Sequence, residues 1–273
     1  TTGNENTALG MWALNANTIG IENTALGSRT LYSNISGGTN TALGYYALYY
    51  NTTGGGNTAL GSRTLIKNTT GAVNTAMGTR ALQENITGTE NTATGYYALR
   101  LNTSGDYNTA SGSRALYTNT TGDNNTALGY RAGNVITTGS NNTIIGYDAD
   151  PSANNSSNQI VIGKGATGQA DDSVTLGNAD VTAIYMAQDS GATVYAAGLN
   201  LSGGTTVSGF KFGTVTMSTN ASQAFTVSGV TSSSIVTASF KSGDNGRYIK
   251  TVVPSTDTIT ITLDGAADNG VIM

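Results

Sequence analysis

A period of 17 residues governs this sequence. The glycine closing an Asn-Thr-Ala-Leu-Gly motif stands at Gly10, Gly27, Gly44, Gly61, Gly78, Gly95, Gly112, Gly129, Gly146 and Gly163, always 17 apart. The opening asparagine keeps the same step from Asn6 to Asn142, until Gln159 takes its place. Ten motif positions without one insertion do not arise from composition bias. A fixed short period means a solenoid-like array in which each unit buries its apolar face on its neighbours.

Within one unit, Asn57 to Val73, the Thr-Ala-Leu segment alternates sides as a short strand does, and β-branched Thr suits a pleated surface. A second glycine follows ten residues after the first, at Gly20, Gly37, Gly54, Gly71, Gly88, Gly105, Gly122 and Gly139, where it is expected to supply a positive φ at a corner. The second limb carries an apolar column at Leu14, Leu31, Leu48, Leu65, Leu82, Leu99 and Leu116. Two corner glycines and two apolar columns predict coils of two or three very short strands. Ten such coils, stacked at about 4.8 Å, make a shaft on the order of 48 Å long. Ala and Leu fill little volume, so the thin column is expected to leave an apolar face that a three-fold bundle of copies would bury.

The repeat weakens after Gly129. The second Leu is lost at Tyr130-Arg131-Ala132-Gly133, and bulkier β-branched residues enter at Ile144-Ile145 and Ile160-Val161-Ile162, predicting more strand-like coils. A last copy, Ser173-Val174-Thr175-Leu176-Gly177, follows after 14 residues and ends the stack near residue 177. Residues 178–204 read as a neck or connector of two strands around Asp189-Ser190-Gly191, with a short helix as the alternative that Ala and Met allow, closing on the hinge Leu201-Ser202-Gly203-Gly204. From 205 to 273 the repeat is gone. Alternating segments around Phe210 to Met217, Ala224 to Val230, Ile235 to Phe240, Tyr248 to Val253 and Thr258 to Leu263 predict an antiparallel β-sandwich-like tip. The fold expected is therefore all-β: a parallel β-roll or β-solenoid shaft over 1–177, a homotrimer by its thinness, with a C-terminal β tip.

Glycine at 37 positions and charge on only 10% of residues can signal disorder, yet the strict phase of the apolar columns argues for stacked structure. A net charge of −4 leaves no electrostatic footprint for nucleic acid. No run approaches the roughly 20 apolar residues of a membrane helix, so no membrane insertion is expected. The chain opens inside a repeat, and an amino-terminal anchor is expected to be missing from it.

The Asn-Thr-Ala-Leu-Gly units, together with Gln159-Ile160-Val161-Ile162-Gly163 and Ser173-Val174-Thr175-Leu176-Gly177, resemble the Ser-Val-Ala-Ile-Gly repeats of trimeric autotransporter adhesin heads. The same style of repeat looks like that of bacteriophage tail fibres and related contractile-injection fibres. The resemblance covers residues 1 to about 177. It implies a trimeric left-handed parallel β-roll and a role in surface attachment. Here the units are longer than the usual adhesin head repeat, and Thr stands where that family often has Val. The tail carries too few strands for a membrane-anchor barrel, which favours a fibre over an autotransporter.

Histidine and cysteine are both absent, which removes the usual general base, the thiol nucleophile and the commonest metal ligands. The close acidic pairs Asp148 with Asp150 and Asp171 with Asp172 read as solvated loop acids, with calcium as the alternative. No enzyme activity, cofactor or metal is expected. Two residues after each motif glycine runs a different column: Trp12, Arg29, Tyr46, Arg63, Arg80, Tyr97, Arg114, Arg131 and Asp148. At coil spacing, guanidinium groups and aromatic rings can pair into a self-stabilising ladder or form a groove for a sugar or an anionic polysaccharide. The column Thr7 to Thr143 offers a regular hydroxyl array of the kind an ice-binding face uses. It lies on the same strand side as Leu, which predicts that it faces the core or a partner chain. Asn columns are expected to form amide ladders, and sequons such as Asn51-Thr52-Thr53 follow automatically from the repeat. In the tip, Lys241, Asp244, Asn245, Arg247 and Tyr248 gather charge and an aromatic ring at a tight turn, which reads first as a hairpin and, as the alternative, as a second candidate binding point.

These readings converge on an adhesive fibre of the phage tail fibre type, located on a virion or as an extracellular appendage. Its expected partners are two further copies of itself, a host cell-surface glycan or protein receptor, and other fibre or baseplate proteins. The repeat sets reach, and specificity is expected where the repeat stops. The alternatives are a purely structural spacer, an ice-binding adhesin repeat and, more remotely, a polysaccharide depolymerase.

Overall fold

The computed structural model describes residues 3–181 and, beyond them, six strand segments between 215 and 272. The chain divides into two compact units, Thr1–Ala192 and Thr193–Met273. The first is a parallel β-solenoid of about ten turns. Each turn contributes one three-residue strand, from β1 (Thr7–Leu9) at steps of 17 residues to β9 (Thr143–Ile145) and β10 (Ile160–Ile162), then β11 (Val174–Leu176) 14 residues later. The eleven strands form one sheet in chain order. Register is maintained throughout, as where Thr58 pairs Thr75, Ala59 pairs Ala76 and Leu60 pairs Met77.

Alternation along a strand sends the middle residue to one face and its neighbours to the other. Alanine is the inward one: Ala25, Ala42, Ala59, Ala76, Ala93 and Ala110 are fully buried. The flanking Thr and Leu share a side, as expected, but it is the outer side, and Leu9, Leu43, Met77 and Leu128 are all exposed. The core is closed from the second limb instead, by the buried column Leu31, Leu48, Leu65, Leu82, Leu99 and Leu116.

That limb is not a strand, so each coil has one strand rather than two or three. Arg63 and Leu65 adopt φ of +58° and +51°, with Thr64 between them outside the positive-φ region. The N–H groups of Arg63 and Leu65 point in opposite directions along the stack. Arg63 N donates back to Tyr45 O at 2.8 Å, and Leu65 N donates forward to Ala81 O at 3.1 Å. The limb thus satisfies its backbone on both neighbouring turns without strand geometry.

The two glycine columns have different causes. The motif glycines take φ between +131° and +141°, open to glycine and strained for other residues. The second column, at Gly71 and its equivalents, has no positive φ; there a Cβ would collide with Asn68 Oδ1 and the Gly88 carbonyl. Glycine is needed at this corner for space, not for φ, because two asparagine ladders run past it. Asn57 Nδ2 donates to Asn40 Oδ1 at 3.1 Å and to Gly71 O at 2.9 Å. Asn68 Nδ2 donates to Asn51 Oδ1 and to the same Gly71 O, both at 2.8 Å. Asn51 and Asn68, though they open sequons, are fully buried and hydrogen-bonded.

Decay of the repeat is an exchange of core volume between positions. In the turn Asn125 to Asn141, Gly133 replaces the core Leu and Ile136 replaces the second ladder Asn; Ile136 is fully buried, its Cδ1 3.4 Å from where a Gly133 Cβ would lie. The ladder ends there, leaving Asn119 Oδ1 as the one buried polar side-chain atom without a partner among the described residues. In the next turns Asp150 stands in the Leu position, and the inward strand residue enlarges from Ala to Ile144 and then Val161, both fully buried. The strands remain three residues long, so the added bulk fills the core and does not extend the sheet.

In the second unit, β12 (Val215–Thr216), β17 (Gly270–Ile272) and β14 (Ser239–Phe240) form one antiparallel sheet in that order. β13 (Ser222–Thr226), β16 (Thr258–Leu263) and β15 (Ile249–Ser255) form another. Each of the five expected segments overlaps one strand, and β17 is additional. The expected neck strands around residues 181–195 fall outside the described residues. Among the described residues, no helix is long and apolar enough to cross a membrane.

Candidate functional site

The column beginning at Trp12 lies along one edge of the solenoid, each residue on a left-handed backbone: Trp12 at φ +62°, Arg29 at +58°, Tyr46 at +59°, Arg80 at +60° and Tyr97 at +62°. In-register stacking then brings residues 17 apart into contact. Arg29 packs over the Trp12 ring at 4.5 Å and over Tyr46 at 5.3 Å, donating to the Tyr46 hydroxyl. Arg80 lies 5.5 Å from the Tyr97 ring and donates to its hydroxyl. Arg131 Nε pairs with Asp148 Oδ1 at 3.2 Å. The sequence column is therefore a ladder at Arg29, Arg80 and Arg131, each set against a ring or a carboxylate, while Arg63 with Arg80 and Arg114 with Arg131 remain like charges on successive turns.

A second column, three residues further on, completes the ridge and was missed from the sequence. Tyr32 and Tyr49 stack at 5.0 Å, and Tyr49 meets Tyr46 at 4.8 Å. Arg100 reaches across to Tyr97 at 5.2 Å and along its own column to Tyr117, whose hydroxyl accepts its Nη1 at 2.7 Å. The signal was present as a recurrence of Tyr and Arg at 17-residue steps, hidden because Ile66 and Gln83 interrupt it. The columns meet at Tyr46, against Tyr49, and at Tyr97, against Arg100 and Tyr117. The Tyr97 hydroxyl is held below the ordinary tyrosine range by the hydrogen bond to Tyr96 and by the facing Arg80, and Tyr96 is pushed up by the same bond.

Two members of the column stand apart. Arg63 and Arg114 are exposed and make no ion pair, cation–π contact or side-chain hydrogen bond among the described residues. No family model, curated protein or solved structure matches the chain.

The acids behave as loop groups with local partners. Asp150 accepts Val135 N at 3.1 Å, Asp171 accepts Ser157 N at 2.8 Å and Asp172 accepts Asn158 Nδ2 at 2.7 Å. Burial pushes the Asp150 carboxyl above its ordinary range, against the Val135 and Asn134 amides that favour the anion. No cluster of three or more acids suited to a metal occurs among the described residues. The tip candidates Lys241, Asp244, Asn245, Arg247 and Tyr248 lie outside the described residues.

Proposed function

We propose that this chain is the shaft-bearing part of a homotrimeric attachment fibre, of the phage tail fibre type, that binds a cell-surface glycan through repeated weak contacts. The observation that carries the reading is the Arg and aromatic ridge. Aromatic faces suit the C–H faces of sugars, guanidinium forks suit their anionic groups, and coil spacing repeats both along a rigid edge. Three copies would multiply a weak contact by avidity. Trimerisation is supported by the outer sheet face, whose residues from β1 to β11 include no charged side chain while Leu43, Met77, Leu128 and Ile162 stand exposed on it. The test is a glycan panel probed with the intact chain. Saturable binding to a defined subset supports attachment, and binding to none leaves the shaft as a spacer.

A second reading rests on the outward Thr column. The sequence places this column against the core or a partner chain; Thr41, Thr92, Thr109 and Thr126 are exposed, so it is not against the core of this chain, and a partner chain or ice is what it can meet. A flat, uncharged array of hydroxyls and methyls in fixed register is the surface that adsorption to ice requires. Thermal hysteresis by the intact chain would favour this reading; its absence together with glycan binding favours attachment.

A further inference from the structure

We infer that Arg114 and Arg131 form a subsite for the carboxylate or sulfate of an acidic sugar residue, in a cleft with Tyr117, Thr118 and Asn134. The inference rests on the attachment reading and assigns the ligand class at one point of the ridge. The cleft is about 380 Å³. It opens where the second ridge column, bulky at Tyr32, Tyr49, Arg100 and Tyr117, drops to Asn134 in the turn that also carries the Gly133 and Ile136 exchange. Thr118, which lines it, is held in place by its Oγ1 hydroxyl, which lies within hydrogen-bond reach of both the Asn134 and the Ile136 carbonyls. Tyr117 is held by the Arg100 bond, presenting a ring on which a sugar can stack. The Asn134 side chain makes no hydrogen bond among the described residues and is free to meet a hydroxyl.

Arg114 and Arg131 belong to successive turns, whose backbones lie about 4.8 Å apart by strand spacing, and both line the cleft, so one anionic group can be shared between them. Arg131 is oriented by Asp148, while Arg114 has no partner of its own among the described residues. Arg114 also holds φ +60°, a conformation costing a non-glycine residue about 1 kcal/mol or more. The tenth turn places Gly165 at this same repeat position, at φ +62°, so the backbone accepts the residue that would remove the strain. The whole column shares this φ, so what sets Arg114 apart beside the cleft is its exposed guanidinium without an internal partner among the described residues.

Polygalacturonate, its neutral methyl ester and dextran sulfate are the probes, measured by equilibrium binding to the intact chain and to Arg114→Gly and Arg114→Gln. The wild type is expected to bind at least one anionic probe, the neutral ester at least tenfold more weakly than that probe, and both variants to bind that probe at least tenfold more weakly than wild type. Which of the two anionic probes binds tells carboxylate from sulfate. Lys67→Gln, with the same change in net charge, should keep wild-type affinity, and Arg114→Gly should melt no lower than wild type. If the wild type binds but the ester, the Arg114 variants or Lys67→Gln respond otherwise, the subsite is wrong while attachment stands. If neither anionic probe binds, the subsite is wrong, and the glycan panel judges attachment separately.

Discussion

Arginine at a left-handed φ, glycine where no such φ occurs, and isoleucine in an asparagine ladder are the residues whose roles the fold makes specific. Arg63, like Arg114, holds a conformation that glycine occupies without strain. Arg63→Gly is expected to raise stability by about 1 kcal/mol, read from thermal unfolding. Gly71→Ala should lower it by about 1–3 kcal/mol, because the added methyl meets two ladders. Gly133→Leu and Ile136→Asn should each destabilise, the first by overfilling the core and the second by emptying it. The double variant restores the Leu column and gives Asn119 Oδ1 a donor, so the pair should couple by more than about 1 kcal/mol in a double-mutant cycle. Asp150 carries a carboxyl pKa raised by burial, with Asp148 reinforcing and Arg131 opposing the shift. The native state therefore binds its proton more readily than the unfolded chain does. The cost of its charge is full above the native pKa and is relieved as pH falls through that value toward the ordinary aspartate range. Asp150→Asn should melt higher than wild type at neutral pH, and the gap should close in acid.

At the scale of one coil, much could be read from the sequence and some could not. The period, the buried Leu column, the amide ladders and the short last turn were legible because each leaves a fixed residue at a fixed step. The non-strand character of the second limb was not, since Arg63 and Leu65 at positive φ carry no compositional sign of it. Nor was the inner face of the strand. Thr and Leu both suit a pleat, and only the supply of core volume by Leu65 and its equivalents leaves room for nothing larger than Ala59 inside. The outer face that results is where copies are expected to meet. Met77→Lys should therefore reduce the molar mass in light scattering from that of a trimer to that of a monomer, with circular dichroism unchanged because the side chain is outside the core. An unchanged trimer mass would place the seam elsewhere.

For the whole molecule, the repeat first reads as a spacer whose specificity lies beyond it. On the proposed function the contact surface is the ridge, built from residues the repeat leaves free to vary: Trp12, Arg29, Tyr46 and Tyr97 alongside Tyr32, Tyr49, Arg100 and Tyr117. Aromatic and guanidinium groups along a rigid stack need no moving part, and their binding should gain from each added copy. The candidate site was half legible, since one column followed the motif glycine and the other broke its own pattern. The direct measurement is the affinity of the intact chain for the glycan selected by the panel, set against the same chain with Arg29, Arg63, Arg80 and Arg114 all changed to Gln. Attachment through the ridge predicts a loss of at least a hundredfold with unfolding and molar mass preserved; equal affinity in the two chains would contradict it.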